Sequence, residues 1–155
     1  MVKIENKLTN RFLVYYSNRI INNLLRIIKK EDLHGIEKIV VIKFFSGNNK
    51  KNAAIYKRKS EKQPASIEIA LESVYNKKLI ILMFMPFVGK FLMASVLYHE
   101  IGHHCHHSFK HGIKKERYEI FAEKYKKEML KKALRRWHFF LRPLAPFVRY
   151  LANRN

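Results

Sequence analysis

The segment that most limits how this chain can fold is the apolar run LIILMFMPFVGKFLMASVLY at residues 79–98, because it ends directly on HEIGHHCHH. Its length approaches that of a membrane span, but Pro86, Gly89 and Lys90 interrupt it near the middle. A buried strand or helix over LIILMFM, followed by a core helix, accounts for the run without a bilayer. That helix is expected from about Pro86 through the histidines to Phe109. It has to bury FLMASVL and then present His99, His103, His104, His106 and His107, five of the chain's eight histidines.

The flanking sequence supplies the rest of the fold. Residues 8–31 place Leu13, Tyr16, Ile20, Leu24, Ile27 and Ile28 at helical spacing, with Arg19, Asn23 and Arg26 largely off that stripe. IEKIVVIKFF (36–45) is β-branched and aromatic and reads as a strand. SGNNKKN reads as a turn, and AAIYKRK as a second strand leaving it. SIEIALESVY (66–75) sets Ile67, Ile69 and Leu71 against Glu68 and Glu72, which predicts a third strand. KHGIKK is a turn with Gly112 just beyond the helix end, and a further helix is expected from about Lys114 through ERYEIFAEKYKKEMLKKALRRW. The plan is α+β: a small antiparallel or mixed three-stranded sheet packed on two long helices, with extra N- and C-terminal helices. At 155 residues, 48% of them hydrophobic, the chain reads as one domain with a helix at 8–31, a core at 36–128 and a basic apolar extension at 129–155.

His99-Glu100-Ile101-Gly102-His103 fits H-E-x-x-H. So short a motif arises by accident in a chain rich in His and Glu, and its context has to decide. On a helix, residues four apart share a face about 6 Å apart along the axis, so His99 and His103 can share one metal ion. Glu100, rotated about 100° from His99, can reach a water at the metal without ligating it. The metzincin pattern is excluded, because it needs Gly at 106 and His at 109 where this chain has His106 and Phe109. His107 lies a further ~6 Å along the stripe, too far to join a metal already held by both. A carboxylate from the next helix is the remaining route, as in His₂Glu zinc sites, and Glu116, Glu119 and Glu123 are candidates on one face. With the turn centred near residue 111, His103 lies about eight residues before it, so its partner falls near Glu119. Glu123 suits hydrogen bonding to a ligand imidazole.

HEIGHH followed by EIFAEKY (119–125) resembles the gluzincin class of zinc metallopeptidases, whose later glutamate helix often reads E-x-x-A-[D/E]. The compact arrangement is similar to the minigluzincins. The specific likeness covers about residues 96–125, and a weaker architectural one reaches back to about 36. The resemblance implies Zn²⁺ as cofactor, His99, His103 and Glu119 as ligands, and Glu100 as general base for peptide-bond hydrolysis. Glu123 stands where such families often carry a supporting Asp. The N- and C-terminal elements have no counterpart in it.

Charge adds a separate expectation. Lys and Arg total 32 against 12 acids, a formal net charge of +20, which favours an anionic surface. No Gly-rich phosphate loop, zinc-finger spacing or aromatic RNA-binding signature is present, so charge alone supports a nucleic-acid module with an accidental H-E-x-x-H. From Lys124 to Asn155, ten Lys or Arg and one acid interleave with Leu130, Leu134, Trp137, Leu141 and Leu144, which fits a segment lying on an anionic membrane. Cys105 is the only cysteine, so no intramolecular disulfide forms, and it reads as a plain thiol. The N-terminal apolar patch ends after five residues, too short for a secretory signal, and a cytoplasmic location, membrane-associated or not, is expected. A peptide or protein substrate is the expected partner, with the strand at 66–75 as the edge it would extend. The competing reading within the same fold is a latent or non-catalytic metal-binding regulator, with residues 8–31 covering the cleft. His104, His106, His107 and His111 read as a solvated histidine cluster rather than a second site.

Overall fold

The computed structural model describes residues 2–61, 63–75, 87–109 and 115–141. The elements run β1 (Lys3–Asn6), α1 (Arg11–Leu25), β2 (Ile36–Ile42), β3 (Ala54–Lys57), β4 (Ala65–Ala70), α2 (Leu71–Tyr75), α3 (Val88–Phe109) and α4 (Lys115–Leu141). The α+β class is as expected, but the sheet has four strands in the order β1-β2-β4-β3. β1 and β4 both run parallel to β2, while β3 and β4 form an antiparallel pair.

The additional strand is β1. It is only four residues long, and its Lys3-Ile4-Glu5 alternation is easily read as a polar lead-in to the helix. Pairing with β2 and a hydrogen bond from Lys7 N–H to Val41 O, 2.9 Å, fix it. α1 starts later than residue 8 because Asn10 caps it, its Oδ1 accepting from the N–H groups of Phe12 and Leu13. It ends at Leu25 rather than 31. There the chain tightens into short-range bonds, from Ile27 N–H to Leu24 O and from Ile28 N–H to Leu25 O, and these carry Ile28 into the core.

The third predicted strand stops at Ala70. Pairing with β2 ends at Ile42–Ala70, and residues 71–75 turn into the short α2, with Glu72 N–H donating to Lys43 O at 3.0 Å. Tyr75 anchors that turn by donating its hydroxyl to Gly89 O, 2.9 Å. β4 is also an interior strand rather than an edge, which corrects the expectation for residues 66–75. Burial on both faces suits β4 to the middle of the sheet. β3 takes the edge, and the exposed Lys57, Arg58 and Lys59 at its end are the kind of charges that keep an edge strand from pairing indiscriminately.

One sheet face carries Ile39, Val41, Ile67 and Ile69 into a core shared with Ile20, Ile21 and Leu24 of α1 and Met93, Leu97, Tyr98 and Ile101 of α3. Burying side chains of this size contributes about 1.5–3 kcal/mol each. The apolar face of α1 is therefore used in the core. The other sheet face is mixed: Val40, Ser66 and Ala70 are buried there, while Glu5–Lys38 and Lys57–Glu68 ion pairs bridge neighbouring strands at 3.0 and 2.7 Å. Among the described residues, no helix is long and apolar enough to cross a membrane. LIILMFM and the KHGIKK turn lie almost entirely outside the described residues, as does the tail beyond Leu141.

Candidate metal centre

α3 presents three faces, and their separation follows from the 100° advance per residue. Met93, Leu97, Tyr98 and Ile101 face the core and are fully buried. His99, Gly102, His103 and His106 face α4, while Glu100 and His104 lie against β3. α3 and α4 come close together at Gly102, where an added Cβ would stand 2.7 Å from Ala122 Cα and 3.1 Å from Ala122 O. Only a residue without a side chain allows that approach, and it carries the carboxylates of α4 to the histidines one turn away.

His99 Nε2 and His103 Nε2 are 3.1 Å apart. Glu119 reaches them with its two oxygens, Oε2 at 3.4 Å from His99 Nε2 and Oε1 at 3.6 Å from His103 Nε2. Four ligands held tetrahedrally at zinc's usual 2.0–2.1 Å are roughly 3.3 Å from one another, so this donor set has the size of a zinc cage. The histidine separation also suits a hydrogen bond in which one Nε2–H donates to the other Nε2. Two imidazoles and a carboxylate are the donors borderline-soft cations prefer, and the histidines are mostly shielded while Glu119 is half exposed. The residues present therefore fit a metal ion.

The other predicted residues take separate places. Glu123 Oε1 lies 3.1 Å from His99 Nδ1, but off the line of a hydrogen bond, so the buried Nδ1 has no hydrogen-bond partner. Lys126 donates to Glu123 and holds its carboxyl below the usual carboxylate range. Glu116 is exposed at the start of α4 and is not part of the cluster. Glu100 is only 8% exposed, and burial pushes its carboxyl up to about 7. A hydrogen bond from Tyr56 N–H, 2.7 Å, works against that rise, and the charge of Glu119 adds to it.

Tyr56 is the residue sequence reasoning missed. From the edge strand, its backbone N–H donates to Glu100 while its hydroxyl lies 3.0 Å from His104 Nδ1. His104 Nε2 is 2.8 Å from His34 O, which requires Nε2–H to donate and leaves Nδ1 to accept from Tyr56. His104 is thus a buried structural histidine, not a solvated one. The φ of +93° at Gly35 turns the chain beside its ring, where an added Cβ would stand 3.5 Å from Cε1. Nothing in the sequence of β3 marks Tyr56, because its contact to Glu100 runs through the backbone. The His106 ring packs edge-on between Tyr118 and Phe121, and the side chains of His107 and His111 lie outside the described residues. Cys105 is buried, its thiol 3.7 Å from Asp32 O, and burial first, then the charge of Asp32, pushes it up to about 12. Tyr125 donates to Asp32 Oδ2 at 2.9 Å and ties the same loop to α4.

No protein-family model matches the chain, and no curated protein and no solved structure matches it.

Proposed function

We propose that the chain is a zinc-dependent metallopeptidase of gluzincin-like design. The observation carrying this reading is the convergence of His99 Nε2, His103 Nε2 and the Glu119 carboxylate within 3.1–3.6 Å of one another, beside the buried Glu100. His99, His103 and Glu119 would hold the ion, and Glu123, 3.1 Å from His99 Nδ1, would fix that ring. Bound zinc supplies Lewis-acid polarisation of a carbonyl and brings the pKa of water towards neutrality.

The chain's own residues supply the rest. Glu100, buried beside the ligands, would take a proton from an attacking water and return it to a leaving amine. Tyr56 N–H holds one of its oxygens and leaves the other to act. An extended peptide would add to the edge of β3, not that of β4, through backbone groups other than Tyr56 N–H, which Glu100 already holds.

Elemental analysis of untagged protein tests the metal: about one zinc per chain is expected, with sharp loss in Glu119→Ala. Digestion of a peptide library read by mass spectrometry tests the chemistry. Wild type should cut and Glu100→Gln should retain zinc but not cut. Zinc indifferent to Glu119, or cleavage that survives Glu100→Gln, refutes the reading.

A further inference from the structure

We propose that the outer face of α1 docks on an anionic lipid bilayer. Its exposed residues are Arg11, Phe12, Tyr15, Arg19, Asn22 and Arg26. At 100° per residue they fill one continuous arc of about 100°, directly opposite the buried Ser17, Ile20, Ile21 and Leu24. Between Glu5 and Glu31 the chain carries Lys7, Arg11, Arg19, Arg26, Lys29 and Lys30 and no acid. All six cations are exposed.

Two features select a bilayer. Phe12 and Tyr15 are 57% and 60% exposed, and they sit together at the start of the helix with Phe12 tilted against Tyr16, ring centroids 5.3 Å apart. Aromatic side chains between arginines match the boundary between headgroups and acyl chains, where the ring is half-submerged and the cation stays with phosphate. The face is also the convex side of a 15-residue helix, a straight stripe about 22 Å long. A flat anionic surface meets such a stripe along its whole length, whereas single-stranded nucleic acid is usually held in a basic groove. None of the six residues belongs to the candidate metal centre, so the surface stands independently of the proposed catalysis.

The test measures partition of the full-length chain onto vesicles of phosphatidylcholine, with and without a third of phosphatidylserine. Wild type should bind only the anionic vesicles, and less as salt rises. A juxtamembrane cation contributes roughly a fivefold factor, so R11Q/R19Q/R26Q should partition about 100-fold more weakly. F12S/Y15S should lose roughly tenfold while keeping its salt dependence. Both variants change only exposed side chains, and unchanged circular dichroism and denaturant unfolding confirm the fold. Wild-type partition in R11Q/R19Q/R26Q, or equal binding to neutral vesicles, overturns the proposal. So does preference for a single-stranded RNA oligonucleotide over the vesicles through these same arginines, which would assign the face to nucleic acid.

Discussion

Replacing Glu100 by glutamine should stabilise the metal-free protein, by an amount that depends on pH in a defined way. Burial lifts the Glu100 carboxyl from 4.5 to about 7, a rise of about 2.5 pH units. Each unit is about 1.4 kcal/mol of preference for the neutral form, so ionised Glu100 costs the fold about 3 kcal/mol. At pH 4 both the folded and unfolded chains keep the proton, and glutamine should change little. Between pH 4.5 and 7 the unfolded chain releases it while the folded chain retains it, so wild-type stability falls as pH rises. Above about pH 8 the loss is complete. Glutamine has no proton to lose, and its side-chain oxygen can still accept from Tyr56 N–H. The difference between variant and wild type should therefore grow from near zero at pH 4 to about 3 kcal/mol at pH 8, or roughly 10 °C in Tm. Urea unfolding in the presence of a chelator, across that range, reads the difference directly, because every other titrating group is common to both proteins. A pH-independent difference, or a glutamine variant less stable at pH 8, would show that Glu100 is not held as a buried acid.

Gly102→Ala should force α4 away from α3, because the new methyl meets Ala122 at 2.7 Å. A loss of about 1–3 kcal/mol in denaturant unfolding and at least tenfold in zinc affinity is expected, whereas wild-type zinc affinity would show that the close approach does not set the site. His104→Phe keeps the ring volume but strands Tyr56 OH and His34 O, at a cost of about 2–4 kcal/mol, while its zinc content by elemental analysis should match that of the unchanged chain. Loss of the metal in that variant would make His104 a ligand after all. Cys105 should resist iodoacetamide at pH 8 in the native state and react on unfolding, since its buried thiol stays protonated there. Rapid native labelling would contradict its burial.

The long elements were legible in the sequence because periodicity over many residues is hard to mistake. α3 and α4 fall within a few residues of their expected limits, and Glu119 lies where counting outward from the turn places it. What escaped depends on interactions distant in sequence. β1 is a strand only because β2 offers it a partner, and four residues leave little pattern to read. Chain order, with 66–75 the last strand before α3, favours β4 as the edge, but the β3–β4 hairpin folds β3 to the outside and places β4 against β2. His104 looked like one of a crowd of histidines, since the carbonyl and hydroxyl that satisfy it come from residues 34 and 56.

Tyr56 grips α3 at two points one helical turn apart, and the two grips answer differently to mutation. The hydroxyl half vanishes with any change to phenylalanine or an aliphatic residue. The half that holds Glu100 comes from the peptide group, which every residue except proline provides. A chain that drifted at position 56 could lose its hold on His104 and still present the same hydrogen bond to its buried acid. The contact that orients Glu100 is therefore written into the path of the β3 backbone. Among relatives of this protein it should persist as a strand position, with proline forbidden, rather than as a recurring tyrosine.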